Sequence, residues 1–292
     1  MKKCAFLTMH SLDGFVSDDQ CVFQPLANLG WKVELVPWRQ MDIDWNSFDA
    51  VIIRTTWDYQ NDPQAFLSVL ENINRSTAHL ENSLGLVRWN MRKTYLRDLE
   101  KRGIGIVPTV WESGISSKRI YSLFEELDAD EIIIKPTIGA NADDTFRLTR
   151  DADDATRARI ETVFNKRAYM AQPFMRGIIE EGEFSLFFFG GEYSHTILKT
   201  PKAQDFRVQE EHGGHIQSVD AKALLLTRAE EAMETIQPAP LYARVDFVRA
   251  NGDFLVMELE LIEPSLYFRM DPKAPERFAQ ALDKWLGPMA SR

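Results

Sequence analysis

Arg244-Val-Asp-Phe-Val-Arg-Ala-Asn-Gly-Asp-Phe-Leu-Val-Met-Glu-Leu-Glu260 alternates apolar and polar residues on either side of Asn251-Gly252-Asp253. That is the pattern of two antiparallel strands joined by a tight turn. Residues two apart in a strand share a face, so Glu258 and Glu260 project together while Met257, Leu259 and Leu261 face the other way. A three-residue loop pairs Ala250 with Phe254 and, counted outward, sets Asp246 opposite Glu258 and Arg244 opposite Glu260. A two-residue loop sets Asp246 opposite Met257 instead, so the register depends on loop length. Three carboxylates on one patch of sheet repel one another unless a cation lies between them, and hard divalent ions take such oxygen ligands. The plain alternative is a solvated strand face on which Arg244 neutralises Glu260.

Further strands surround this hairpin. Phe184–Phe189 and Glu192–Lys199 meet at Gly190-Gly191, a hairpin signal, and Ala168–Pro173 precedes them. Glu131–Lys135 and Thr145–Leu148 flank a polar loop, Pro136–Asp144, and Ile104–Val110 carries Pro108. Helices are expected over Arg92–Lys101, closed by Gly103, over Asp151–Phe164 and over Pro275–Leu286. The first third instead alternates strands with helices. Cys4–Thr8, Val33–Val36 and Asp49–Arg54 are strand-like; Phe23–Leu29 and a segment from Pro63 through Leu70 are helical, the latter with Asp62 as N-cap. This alternation argues a parallel sheet covered on both faces. The class is therefore α+β with an α/β opening.

Ligands of parallel sheets bind outside the C-terminal strand ends, here Thr8–Ser11 and Arg54–Tyr59. Arg54 offers a fork for a carboxylate, Trp57 an apolar wall and Asp58 an acceptor for an ammonium group. The alternative is an Arg54–Asp58 salt bridge that stabilises the loop, with Trp57 packed on the core.

Composition narrows the function. The chain has 292 residues, 45% apolar and 27% charged, with 34 Lys+Arg against 44 Asp+Glu. A net charge of −10 argues against nucleic acid, whose binders carry basic faces. The apolar runs are far shorter than the roughly 20 residues of a membrane span, and the start lacks a signal-peptide core, so a cytoplasmic protein is expected. Cys4 and Cys21 form neither a disulfide framework nor a zinc spacing. His212-Gly-Gly-His215 lacks the spacing of a zinc site, and His10, His79 and His195 carry no motif. Lys135 ends an apolar strand; the small-residue loop after it has a single Gly and no Walker pattern. Lys93, Lys199, Lys202 and Arg207 add scattered cations.

In order, these pieces resemble the ATP-grasp superfamily of carboxylate–amine ligases across most of the chain. The sequence runs Lys93, Lys135 with its loop, Ala171-Gln-Pro-Phe-Met175, Gly182-Glu183, Lys199, Arg207, Asp246 and Glu258-x-Glu260 followed by Pro264. Arg54-Thr-Thr-Trp-Asp-Tyr59, Val87-Arg-Trp-Asn90 and Glu258–Ser265 are most similar to the group containing O-ureido-serine cyclo-ligase of cycloserine biosynthesis. The resemblance implies an ATP-grasp fold of glutathione-synthetase type with an N-terminal Rossmann-like α/β domain at 1–88, a small lid subdomain at 89–170 and a C-terminal subdomain at 171–292. It implies that Lys93 and Lys135 contact ATP phosphates, that Gln172, Pro173, Phe174 and Met175 bind adenine, and that Glu183 takes the ribose. Asp246, Glu258 and Glu260 would hold Mg²⁺, with Mn²⁺ as substitute, and Lys199, Arg207 and Arg244 would be the catalytic cations. Glu260 departs from the Asn common among relatives and adds a negative charge to the metal site. The implied reaction converts a small carboxylate to an acyl phosphate, which an amine then attacks, releasing ADP and phosphate. Small amino-acid-like substrates are the implied partners, Arg54, Trp57 and Asp58 the candidate substrate residues, and a homodimer the candidate assembly. Two alternatives are a non-catalytic ATP-binding regulator and a ligase acting on a peptide or protein tail.

Overall fold

The computed structural model describes residues 1–139, 142–203 and 205–286; Ala140 and Asn141 of the small-residue loop lie outside them. Strands β1 (Lys2–Thr8), β2 (Trp31–Pro37), β3 (Ala50–Thr55) and β4 (His79–Glu81) form a parallel sheet in the order β2-β1-β3-β4. The central strands β1 and β3 are apolar at successive positions, so both of their faces are buried. Ala5, Leu7, Val51 and Ile53 pack under Phe66, Leu70 and Ile73 of the helix Pro63–Arg75. Its N-terminus is capped as expected, with Asp62 accepting the Ala65 N–H at 3.1 Å. Cys4, Phe6, Ala50 and Ile52 pack on the opposite side against Phe278 and Leu282 of the last helix, Ala274–Leu286. The end of the chain thus returns to complete the core of its beginning. Cys4 is buried, which pushes its thiol pKa up, so it serves as core.

The second sheet is antiparallel, β5 (Val110–Ser113), β6 (Glu131–Pro136), β7 (Phe146–Thr149) and β8 (Ala168–Pro173), in the order β5-β8-β6-β7. Ile132 and Ile134 enter a core with the helices Ser117–Glu126 and Asp154–Phe164, which leaves Ile133 and Lys135 on the opposite face. The third sheet contains β9 (Glu183–Phe189), β10 (Glu192–Thr200), β11 (His215–Ser218), β12 (Tyr242–Ala250) and β13 (Asp253–Glu260), in the order β11-β10-β9-β12-β13. Phe184, Leu186, Phe188, Val245 and Phe247 pack under the helix Ala223–Glu234. Glu183, Ser185, Arg244 and Asp246 therefore occupy the other face.

Two expectations are corrected. The helix expected over Arg92–Lys101 begins only at Tyr95. The chain forms helices at Leu84–Asn90 and Tyr95–Lys101, broken where the Lys93 N–H donates to Thr137 O at 2.7 Å instead of continuing a helical ladder. The hairpin loop has two residues, Asn251 and Gly252, since Ala250 pairs with Asp253. Both have positive φ, 51° and 82°, as a tight hairpin turn requires. Yet Asp246 still lies opposite Glu258 and Arg244 opposite Glu260, because the register shifts after Asp246, with Phe247 opposite Val256. Met257 is the extra residue of a β-bulge. The bulge restores the register that the shorter turn would have lost, and it turns Met257 toward the same cleft as Glu258.

Candidate active site

A cleft opens between the second and third sheets and is also lined by Phe15, Trp57 and Tyr59 of the N-terminal unit. Its floor is a lattice of alternating charges. Asp246 is 2% exposed and receives the Arg244 guanidinium, with Nε 3.1 Å from both carboxylate oxygens, the Lys199 ammonium at 3.3 Å, and the Ser185 hydroxyl. Lys199 also pairs with Glu183, Arg244 with Glu260 and Lys93 with Glu258. One oxygen from each of Asp246, Glu258 and Glu260 can lie within 4.8 Å of the others, a donor set that fits a hard divalent cation.

The electrostatics follow from this packing. Burial alone would raise the pKa of Asp246, but Arg244 and Lys199 hold it down at about 2. Glu258 is likewise held low against burial by Lys93 and Lys135. Glu260 is pushed up to about 7, first by burial and then by the charges of Glu258 and Asp246, against the pull of Arg244. An incoming cation would reverse that rise. Lys93 stays above its usual value because Glu258 outweighs its burial. Lys135 is lowered by burial, with Lys93 adding to the effect and Glu258 opposing it. No carboxylate among the described residues forms an ion pair with Lys135.

On the outer wall, Gln172–Met175 leave β8 along the cleft. Gln172 donates to Thr109 Oγ1 at 2.9 Å, and Phe174 N–H donates to Glu131 O at 2.8 Å. Val107, Met175, Ile178 and Met257 form an apolar slot beside them, suited to a flat ring. Glu183 lines the same cleft as Gln172–Met175, and its carboxylate pairs with Lys199 on the floor. Gly182 makes that arrangement possible. Its φ is 121°, and a Cβ there would lie 2.7 Å from Lys199 O. Arg207 reaches the cleft from a loop, with its guanidinium held by Asp205 at 2.9 Å.

The candidate substrate residues separate. Trp57 lines the cleft and its ring leans on Phe15, 5.4 Å between centroids. Arg54 does not line it. It follows Ile52 on the face of β3 that packs inward, is 1% exposed, and binds Asp19 at 2.9 Å and Pro264 O at 3.1 Å. Asp58 accepts from Trp38 Nε1 at 2.6 Å and lies 3.4 Å from Arg39, also outside the cleft. The expected Arg54–Asp58 bridge is absent as well, Asp19 having taken its place. Arg54 belongs to a row of side chains that grip the backbone leaving β13. Asn90 donates to Leu259 O at 2.8 Å, Asn82 to Leu261 O at 2.7 Å, Tyr242 to Ile262 O at 2.9 Å, and Trp57 to Glu263 O at 2.8 Å. Sequence reasoning missed Glu263, Phe15, Tyr59 and Met257 among the cleft residues. A polar residue just before Pro264, downstream of paired acidic positions, was the only available signal for Glu263.

Three layers of sheet around a cleft floored by Arg244, Asp246, Glu258 and Glu260 define an ATP-grasp ligase. A crystal structure of a D-alanine–D-alanine ligase from Bacillus anthracis with ATP superposes with a TM-score of 0.68 over 100% of this chain and 99% of that one, at 15% identity. The crystal structure of D-cycloserine synthetase DcsG matches more closely, with a TM-score of 0.85, 28% identity, and coverage of 97% and 99%. Residues 4–82 match the family described as D-cycloserine synthetase DcsG, N-terminal domain. The cycloserine biosynthesis protein DcsG of Streptomyces lavendulae is 32% identical over 284 residues, 91% of this chain and 93% of that one. The chain belongs to the DcsG family of ATP-grasp ligases.

Proposed function

We propose that the chain forms an amide-type C–N bond on a small amino-acid-like carboxylate, cleaving ATP to ADP and phosphate. The observation that carries this reading is the floor lattice, in which three carboxylates interleave with Lys93, Lys199 and Arg244 while Lys135 remains without a carboxylate partner. The apolar slot and the backbone of Gln172–Met175 would hold adenine, and Lys135, with Lys93, the phosphates. Asp246, Glu258 and Glu260 would hold Mg²⁺, which neutralises phosphate charge when bound. The substrate carboxylate attacks the γ-phosphorus as the bond to the bridging oxygen breaks, and ADP leaves. An amine then attacks the carbonyl, loses a proton, and the C–O bond to phosphate breaks. Such chemistry needs positioning and charge neutralisation more than a protein nucleophile, and Arg244 and Lys199 are fixed for that purpose by the carboxylates between them. The cycloserine product in the relative's name supports closure of a ring within one molecule, and O-ureido-serine is the first substrate to try. Amino-acid-like small molecules and a cytoplasmic setting belong to the same proposal.

The test is ADP release on addition of O-ureido-serine and other small amino acids, compared with Glu258→Gln. Mg²⁺-dependent ADP release that requires the acceptor and falls at least 100-fold in the variant is expected. A variant within about threefold of the parent, at unchanged melting temperature, refutes the site, because losing a charged metal ligand should cost several kcal/mol.

A further inference from the structure

Among the Lys, Arg, Asp and Glu side chains that line the cleft, two that are partly buried form no ion pair with the described residues, the exposed Asp143 and Glu211 apart. Lys135 is one. The other is Glu263. Glu183, Asp246, Glu258 and Glu260 each form an ion pair with Lys93, Lys199 or Arg244. At the rim, Arg207 pairs with Asp205 and Glu210 with Arg269. Glu263 lines the same cleft but has no ion pair and no side-chain hydrogen bond among the described residues. Its carboxylate feels the charges of Glu260, Lys93, Glu258 and Arg244, so it faces the site, yet Lys93 and Arg244 are already engaged. Glu263 is partly buried, and a carboxylate that loses part of its water without gaining a partner is costly. Here burial and the neighbouring Glu260 push its pKa well above the usual range. A cationic ligand group would relieve that cost.

Glu263 is also held still. Ile262 O accepts from Tyr242 OH, Glu263 O from Trp57 Nε1 and Pro264 O from Arg54 Nη2, so the peptides on both sides are anchored. It lines the cleft beside Trp57 and Tyr59, whose hydroxyl feels its charge. Lys135 and the Gln172–Met175 wall belong to the second sheet. An anionic ligand group is thus called for by Lys135, and a cationic one by Glu263.

We propose that the Glu263 carboxylate receives the ammonium group of the amino-acid-like substrate and so selects α-amino acids over otherwise identical carboxylic acids. This rests on the ligase reading above. Trp57 supplies the wall beside that ammonium and holds Glu263 through its carbonyl. A substrate without the ammonium covers the partly buried Glu263 and leaves it unmatched, which is where the discrimination arises.

The test measures ADP release from matched pairs, alanine against propanoate and serine against 3-hydroxypropanoate, each chiral acid in both configurations. Hydroxylamine serves as the common amine, and O-ureido-serine as a positive control for turnover. The parent should favour the amino member of a pair by 10- to 100-fold in kcat/KM. Glu263→Gln should abolish that preference, mainly through the KM of the amino member, and Glu263→Asp should retain part of it. The melting temperature and the Kd for Mg·ATP should stay near those of the parent. A preference that survives Glu263→Gln overturns the assignment. So does a variant in which the Mg²⁺ requirement and ATP affinity fall together, which would make Glu263 part of the metal site. If no acid, O-ureido-serine included, releases ADP in the parent, the ligase reading fails first and this assignment fails with it.

Discussion

At the residue scale, His195 shows how burial sets a pH limit on stability away from the cleft. It is 3% exposed, stacks on Phe187 with centroids 4.3 Å apart, and lies 3.1 Å from Leu266 O through Nε2 and 2.9 Å from Ser194 Oγ through Nδ1. A neutral imidazole satisfies both contacts, donating from Nε2 and accepting at Nδ1. Burial holds its pKa down at about 4, from an ordinary 6.5. Between these values the unfolded chain binds the proton more readily, so stability rises with pH through that window and is complete above it. The penalty at acid pH is roughly 3 kcal/mol. Melting curves from pH 7 to 4.5 should therefore fall more steeply for the parent than for His195→Gln. Parallel curves would show that His195 is not the group responsible.

Secondary-structure elements show where sequence reading works and where it stops. Period-two alternation placed Glu258 and Glu260 together on one face correctly, because that strand buries its other face and the burial is written in its apolar positions. The bulge at Met257 was invisible to the same count, since an inserted residue looks like any other until its partner strand is present. The correct pairing of Asp246 with Glu258 was thus reached through an incorrect turn length. Arg54 and Asp58 failed for a different reason. Nearness to a strand end does not say which face a side chain takes, and Arg54 follows Ile52 inward to meet Asp19, a residue 35 positions earlier. Glu263 lies beyond the last strand, where alternation has no force. The structural reading of Arg54 makes a prediction. Arg54→Ala leaves Asp19 buried without its cation and frees Pro264 O, at a cost of about 3–5 kcal/mol. The melting temperature should drop by roughly 5–15 °C, and ATP and acceptor should weaken together. A selective rise in acceptor KM at unchanged melting temperature would return Arg54 to the substrate site.

For the whole molecule, the cleft joins parts far apart in sequence: Lys93 lies on the break between two helices, Lys135 on the second sheet and Asp246, Glu258 and Glu260, the carboxylates proposed to hold Mg²⁺, on the third. Ligand bound across them should stabilise the fold as one unit. Mg·ATP at 100 times its Kd adds about 2.7 kcal/mol, a rise of about 5–10 °C at this size, and Lys135→Ala should remove most of it. Absence of any shift with Mg·ATP in the parent would deny the nucleotide a place in the cleft. The grip on the backbone after β13 carries a different consequence. Asn90, Asn82, Trp57 and Arg54, with Tyr242 of β12, all hold main-chain carbonyls, and every amino acid has one. The demand for particular side chains therefore falls on the donors and on Ile262, which is buried in the core, while residue 263 is free to change identity without loosening the frame. Diversification of substrate range should then concentrate at that held position, where a new side chain inherits a ready-made, rigid mount. A saturation library at residue 263 is accordingly a more promising start for altering specificity than one at Arg54 or Trp57.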